Sequence, residues 1–413
     1  MFFLYQIILT IIILISPAII GYRILKNKEH RLRYKEKFGF YSKGRIDGKL
    51  IWFHGASVGE ILSIIPLVKN YEKDKNINQI LITSSTLSSS KIIKKFKFKK
   101  TIHQFYPIDH IFITQKFLKY WKPNVAIYIE SEIWPSMFNE LDRKKIPLIL
   151  LNTRITKKSF NRWQIFLSLA NQIFGKISLA LPQNQETLKY LKLFKVKNIK
   201  IAGNLKYYGQ ENKKDHVAKL LKNKFKNFKV WCAASTHKDE EILIGKLHKR
   251  LKKREKKLIT IIIPRHVNRT NKIKDELSNL NLNCIIHSSN QKIKKNTDIY
   301  LVDSYGETSR FYNLTNVCFV GGSIVKHGGQ NPLEPARLGN YIISGPNTKN
   351  FKEIYTFLNN LKMSSSTSNI LKMENIILKI LKTKTNNKNI KKIIKIGNEV
   401  LEKNLFHINK YLV

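Results

Sequence analysis

Leu50-Ile51-Trp52-Phe53-His54-Gly55-Ala56-Ser57-Val58-Gly59-Glu60 is the stretch that decides the fold class. Four apolar side chains in a row lack the alternation of a half-solvated strand, so they predict a strand covered on both faces. Gly55 and Gly59 permit a tight turn, and a helix is expected from about Gly59. The same grammar recurs along the chain. Apolar runs ILIT (80–83), VAIYI (125–129), LILL (148–151) and a segment at 177–181 alternate with Lys-rich amphipathic stretches. A second series follows: VWCAA (230–234), LITIII (258–263), CII (284–286), IYLV (299–302), VCFVGG (317–322) and YIISG (341–345). Continuous strands separated by helices predict parallel sheets, and the number of runs is too high for one sheet of ordinary size.

The expected architecture is therefore α/β, with two Rossmann-like, doubly wound domains behind an N-terminal anchor. Residues 1–22 are read as the anchor, 23–208 as the first domain, 209–227 as a polar linker rich in Lys and Asn, and 228–413 as the second domain. Doubly wound sheets bind ligands outside the carboxyl ends of their strands, and two facing domains make the cleft between them the expected site.

The anchor is read from charge. Residues 1–22 carry no ionisable cation or carboxylate in their side chains, and Arg23, Lys26, Lys28, Arg31, Arg33, Lys35 and Lys37 follow. A cleaved signal would have its basic residues first. Here the positive-inside rule keeps everything after the anchor on the cytoplasmic side of the membrane. Pro17 and the modest length leave open a full span or a segment dipping into one leaflet. Overall, 75 Lys+Arg against 28 Asp+Glu give a net charge of +47, which favours anionic partners. Abundant Lys, Ile and Asn are what A/T-rich coding produces, so charge alone does not nominate nucleic acid. The basic run Lys94-Lys95-Phe96-Lys97-Phe98-Lys99-Lys100 reads instead as an edge that contacts membrane phospholipid. Cys232, Cys284 and Cys318 are far apart and read as buried thiols, with no zinc spacing.

Chemistry is sought in the strand-to-helix turns. Glu60 at a helix start has two readings, a carboxylate that caps the helix and favours its dipole, or a catalytic group. Glu130-Ser131-Glu132-Ile133-Trp134-Pro135 sets two carboxylates at another strand end, and Gly203-Asn204-Leu205-Lys206 closes the first domain. The second domain's turns are cationic and glycine-rich: Ala234-Ser235-Thr236-His237, Pro264-Arg265-His266, Ser304-Tyr305-Gly306-Glu307, Gly321-Gly322-Ser323 and Gly328-Gly329-Gln330-Asn331-Pro332-Leu333-Glu334. Hydroxyls, an Arg and free N–H groups at helix starts predict a phosphate site, and Glu334 suits a ribose. There is no P-loop and no Asp-x-Asp, which weakens a metal-clamped diphosphate donor.

The His54 to Glu60 string, ESEIWP, Leu151-Asn152-Thr153-Arg154, GNLK, ASTH, PRH and GGQNPLEPA, in this order, resemble the 3-deoxy-D-manno-octulosonic acid (Kdo) transferases over about residues 31–351. The resemblance implies a GT-B fold and inverting transfer of Kdo from CMP-Kdo to a lipid A precursor (lipid IVA), without cofactor or metal. It implies Glu60 as general base and Glu130 and Lys206 as stabilisers of the transition state. Pro264, Arg265, Tyr305, Gly306, Glu307, Asn331, Pro332, Leu333 and Glu334 match its CMP-contacting segments. Gly55 stands where Ala or Val is expected, and Tyr305 where Met is common. Beyond about residue 360 the resemblance fades into Lys/Ile/Asn-rich sequence whose apolar period suits a helix closing such a fold.

Overall fold

The computed structural model describes residues 2–209, 216–383 and 387–412. The chain divides into two compact units, Met1–Tyr208 with Ile396–Val413, and Gly209–Lys395.

The first unit holds β1 (Leu50–His54), β2 (Gln79–Ser84), β3 (Thr101–Phe105), β4 (Val125–Ile129), β5 (Leu148–Thr153) and β6 (Leu179–Pro182). They form one parallel sheet in the order β3-β2-β1-β4-β5-β6. The connection reverses direction between β1 and β4, which makes their carboxyl ends the crevice of a doubly wound sheet. Alternate residues of β1 feed two cores. Leu50 and Trp52 pack with Phe117, Trp121 and Phe138 on one face, and Ile51 and Phe53 pack with Ile61, Ile64 and Ile65 on the other. This double burial is why the strand reads as an unbroken apolar run.

The second unit holds β7 (Lys229–Thr236), β8 (Leu258–Pro264), β9 (Cys284–Ile286), β10 (Ile299–Leu301), β11 (Val317–Val320), β12 (Tyr341–Ser344) and β13 (Ser364–Ser366). All pairs are parallel, in the order β13-β12-β11-β7-β8-β10-β9. In this sheet the reversal lies between β7 and β11. The two strands that the apolar pattern missed, β3 and β13, are both sheet edges, where fewer apolar neighbours are needed.

Two expectations change. The last residues do not belong to the second domain as 228–413 implied. Helix Asn387–Asn409 leaves the second unit, and its later part packs Val400 and Ile408 into the Ile-rich core beneath the first sheet. Tyr71 Oη donates to Asn409 Oδ1 at 2.9 Å, and Lys49 Nζ to the Leu412 carbonyl at 2.7 Å. The stretch read as linker, 209–227, includes helix His216–Lys224, and its residues 210–215 lie outside the described residues. In the Lys/Phe run at 94–100, Phe96 and Phe98 are half-buried, stack on each other and pack against the core, and Lys94, Lys95, Lys97 and Lys99 are exposed. Glu72 ties down the same run by accepting from the Lys99 and Lys100 amides.

Ile408 is fully buried. Ile408→Ala should therefore cost the first unit about 2–5 kcal/mol. Hydrogen exchange should show faster exchange in β1 and β2, with β7 and β11 unchanged. Loosening of β7 and β11 instead would return the C-terminal stretch to the second unit.

Candidate active site

At the end of β1, Ser57 is the N-cap of helix Val58–Lys73, and Glu60 completes a capping box. Glu60 Oε2 accepts from the amides of Ala56 at 2.7 Å and Ser57 at 3.3 Å, and Oε1 accepts from Ser57 Oγ at 2.9 Å. The capping reading is thus present in the molecule. It also fixes the carboxylate in one rotamer at the β1/β4 crevice. Burial, then the charge of Glu132, and to a lesser degree that of Glu130, push the Glu60 carboxyl above its ordinary range, against the hydrogen bonds from Ser57.

Glu130 ends β4 in the left-handed region at φ 58°, a conformation that costs a non-glycine residue roughly 1–3 kcal/mol and clusters at functional sites. Two backbone bonds to the neighbouring β5 arm impose it: the Glu130 amide donates to the Leu151 carbonyl, and the Arg154 amide donates to that of Glu130. Lys206 Nζ lies 2.5 Å from Glu130 Oε1. It is delivered there by the turn Leu205–Tyr207, whose Leu205 amide donates to Asn152 Oδ1 and whose Lys206 amide donates to Asn204 Oδ1. The sequence-predicted trio Glu60, Glu130 and Lys206 therefore meets at one end of the first sheet. Arg154 contributes its backbone to this turn.

Glu132, His54, Thr83 and Trp134 complete the site, and sequence reading gave the last three no role. Glu132 Oε2 sits 3.2 Å from His54 Nε2 and accepts from Trp134 Nε1 at 3.0 Å. His54 is fully buried, and burial lowers its pKa despite Glu132, so the ring is neutral. Trp52 Nε1 donates to Thr83 Oγ1 at 2.9 Å, and His54 Nδ1 lies 3.0 Å from Thr83 Oγ1 and 3.3 Å from the Thr83 carbonyl. An ionised Glu132 can only accept, which assigns the single proton of the neutral ring to Nε2, donating to Glu132. Burial alone would raise the Glu132 carboxyl, but the two donors hold it below its usual range. The sequence signal was a His closing an otherwise apolar strand.

In the second unit, Pro264 ends β8, and the Arg265 amide donates to the Thr236 carbonyl beside it. The Arg265 side chain is exposed. His237, after β7, has its ring centroid 4.3 Å from that of His327 and 6.0 Å from that of His266, with Gln330 within 3.3 Å. Asn331 Oδ1 accepts from the Leu333 amide and so starts the turn carrying Pro332, Leu333 and the exposed Glu334. Tyr305 is exposed and Gly306 has φ 85°. Glu307 is engaged with Ser304, His287 and Arg310, which together outweigh burial and lower its pKa.

One expectation about phosphate fails. The amides of the Gly321-Gly322-Ser323 turn are not free. Glu240, almost fully buried, accepts from the amides of Gly322 at 2.8 Å, Ser323 at 3.0 Å, Ile324 at 2.9 Å and His237 at 2.9 Å. A Cβ on Gly321 would stand 2.5 Å from the Ser235 carbonyl and 2.7 Å from Glu240 Oε2, so only glycine fits. The nest is filled by the protein's own anion, and exposed cations, Lys238, Lys326 and Arg265, stand on the turns after β7, β11 and β8. Among the described residues no group of three His, Cys, Asp or Glu side chains is arranged to hold a metal.

Residues 32–208 match the family model described as 3-deoxy-D-manno-octulosonic-acid transferase (kdotransferase). The 3-deoxy-D-manno-octulosonic acid transferase of Haemophilus influenzae is 32% identical over 360 residues, 84% of this chain and 84% of that protein. That of Rickettsia bellii is 36% identical over 346 residues, 83% of this chain and 82% of that protein. In fold alone, the UDP-GlcNAc 2-epimerase of Neisseria meningitidis, solved with UDP-GlcNAc, is similar at 13% identity and TM-score 0.55, covering 86% of this chain and 99% of that one. The paired doubly wound sheets are those of the GT-B class. With its turns, its anchor-like N-terminal helix and these relatives taken together, the chain belongs to the Kdo transferases, glycosyltransferases of lipopolysaccharide biosynthesis.

Proposed function

We propose that this protein moves Kdo from CMP-Kdo to a lipid A precursor, lipid IVA, with inversion, at the cytoplasmic face of a bacterial inner membrane. The observation that carries the proposal is the set of three carboxylates at the ends of β1 and β4, each given a different environment. Lys206 neutralises Glu130, and two N–H donors satisfy Glu132. Burial and the nearby charge of Glu132 raise the proton affinity of Glu60. Neighbouring carboxyl groups pushed apart in this way divide into a base and stabilisers.

Glu60 takes the proton from the attacking sugar hydroxyl as CMP departs from the opposite face. The anomeric carbon becomes oxocarbenium-like, and the Glu130 carboxylate stabilises it, with Lys206 setting how much negative charge it presents. Arg265 holds the departing phosphate. Pro264, Tyr305, Gly306, Glu307, Asn331, Pro332, Leu333 and Glu334 shape the CMP site around it, and Glu334 takes the ribose hydroxyls. A monophosphate leaving group needs one cation rather than a metal clamp, which suits Arg265. Incubation with CMP-Kdo and lipid IVA, read by mass spectrometry of the lipid, tests the whole reading. A lipid carrying added Kdo is expected. Transfer from a nucleoside diphosphate sugar in its place would overturn it.

Glu60→Gln keeps the shape of the capping box but cannot accept a proton. Turnover should fall about 10²- to 10⁴-fold while stability changes by about 1 kcal/mol or less and CMP affinity holds. Turnover near that of the wild type would remove Glu60 as the base.

The pH profile gives an independent check. A raised pKa keeps Glu60 protonated to higher pH, so activity is lost on acidification earlier than with an ordinary carboxylate. Glu132→Gln removes the neighbouring charge that contributes most to that shift and should move the acid limb to lower pH. A limb that stays in place would contradict the coupling.

Arg265→Ala should weaken CMP binding by calorimetry at least about tenfold, since a charge-assisted contact contributes about 1.5–3 kcal/mol. Unchanged affinity would return Arg265 to the ordinary surface.

A further inference from the structure

His237 stands one residue beyond the end of β7, as Arg265 does beyond β8. The last register partners of the two strands are Thr236 and Pro264, so both side chains leave neighbouring strands from the same level. Neighbouring strands run about 4.8 Å apart. The Arg265 side chain is exposed, whereas the His237 ring is half-buried. Its seat is made by Gly322, which has φ 65°. A Cβ there would stand 3.2 Å from His237 Cδ2 and Nε2 and 3.4 Å from His327 Cδ2, so the bare glycine makes room for both rings.

The two edges of the His237 ring differ. Nε2 lies 3.3 Å from Gln330 Nε2. An amide nitrogen only donates, so His237 Nε2 accepts and the proton of the neutral ring is on Nδ1. Among the described residues nothing accepts from Nδ1. Burial first, then the charge of His327, holds the ring's pKa low, with His266 and Arg265 adding to this and Glu240 opposing it. The surroundings are cationic. His327 stacks on His237 at 4.3 Å between centroids and 34° between planes, and His266 meets it edge-on at 6.0 Å. Lys238, Lys326 and Arg265 are exposed on the same turns, with Asp239 exposed beside Lys238. Glu240, buried, is already taken up by four amides. Stacked rings do not aim two nitrogens at one point, so this is not a metal cluster. A proton to donate among crowded cations fits an anionic ligand.

On the function proposed above, the donor brings two anions on one carbon, since an ulosonic acid carries both the phosphate and its own carboxylate at the anomeric centre. Arg265 is assigned to the phosphate, which leaves the carboxylate to be matched. We propose, resting on that function, that His237, backed by Gln330 and His327, receives the sugar carboxylate through Nδ1–H and so selects CMP-activated ulosonic acids over neutral sugars on the same nucleotide. Two anions on one carbon need two partners close together, and His237 and Arg265 leave the sheet about one strand spacing apart.

Binding in the absence of acceptor reads this without any transfer. With the full chain, calorimetry gives separate affinities for CMP and for freshly made CMP-Kdo. His237→Ala should weaken CMP-Kdo at least about tenfold and leave CMP within about twofold, whereas Arg265→Ala weakens both. An equal loss for CMP would make His237 a nucleotide contact, and no loss for either ligand would make it packing alone; each result overturns the inference. Folding is checked by melting temperature. His237→Phe, which keeps the ring stack on His327 without its nitrogens, should show the same selective loss and stands in should the alanine variant not fold. A wild-type chain that binds neither ligand would sink the proposed function as well, whereas binding of both with no selective loss in the variants sinks this inference alone.

Discussion

Crowding of negative charge at the carboxyl ends of β1 and β4 is the constraint on which the first unit's site depends. Glu60, Glu130 and Glu132 share one end of a sheet whose connection reverses there, and each is held by a separate device. Lys206 reaches Glu130 only because Asn152 and Asn204 fold the Leu205–Tyr207 turn onto the sheet. Glu132 is held by a neutral His54, whose other ring nitrogen faces Thr83. Glu60 keeps hydrogen bonds from its own helix start, yet burial and its neighbours raise its proton affinity. Like charges so placed cannot all ionise equally, and the protein decides which carboxylate carries the higher pKa.

The second unit solves the inverse problem. Its glycine-rich turn after β11 has the amide geometry of an anion site, but Glu240 already occupies it with four backbone donors. A buried carboxylate used this way makes the turn rigid, and its partners cannot be lost one at a time without leaving a charge uncompensated. Positive charge toward a ligand then falls to side chains such as Arg265 rather than to backbone amides.

Much of this was legible in the sequence because burial on both faces writes itself as unbroken apolar runs. Eleven such runs correspond to strands, and the edge strands β3 and β13, with their Thr, His, Gln and Ser, escaped for want of apolar residues. That Glu60, Glu130 and Lys206 gather at one end of a sheet was legible because all three stand in turns after buried strands. The rest depends on contacts between residues far apart in the chain. Thr83 is 29 positions from His54, and Glu240 is more than 80 from the amides it holds in the glycine turn. Asp109 joins Tyr5 to Ser136, and no local pattern marks it. The return of Val400 and Ile408 to the first core was hidden for the same reason, since an amphipathic period shows a helix but not the surface it covers.

The central claim is a single displacement in which one base, Glu60, deprotonates the acceptor hydroxyl. The stereochemistry of the first-formed linkage tests it most directly, read by NMR on product released from CMP-Kdo and a soluble acceptor analogue. One displacement at the anomeric carbon predicts a configuration opposite to that of the donor. A product that retains the donor's configuration would require a covalent glycosyl-enzyme or a front-face path, and would contradict the division of the three carboxylates into one base and two stabilisers.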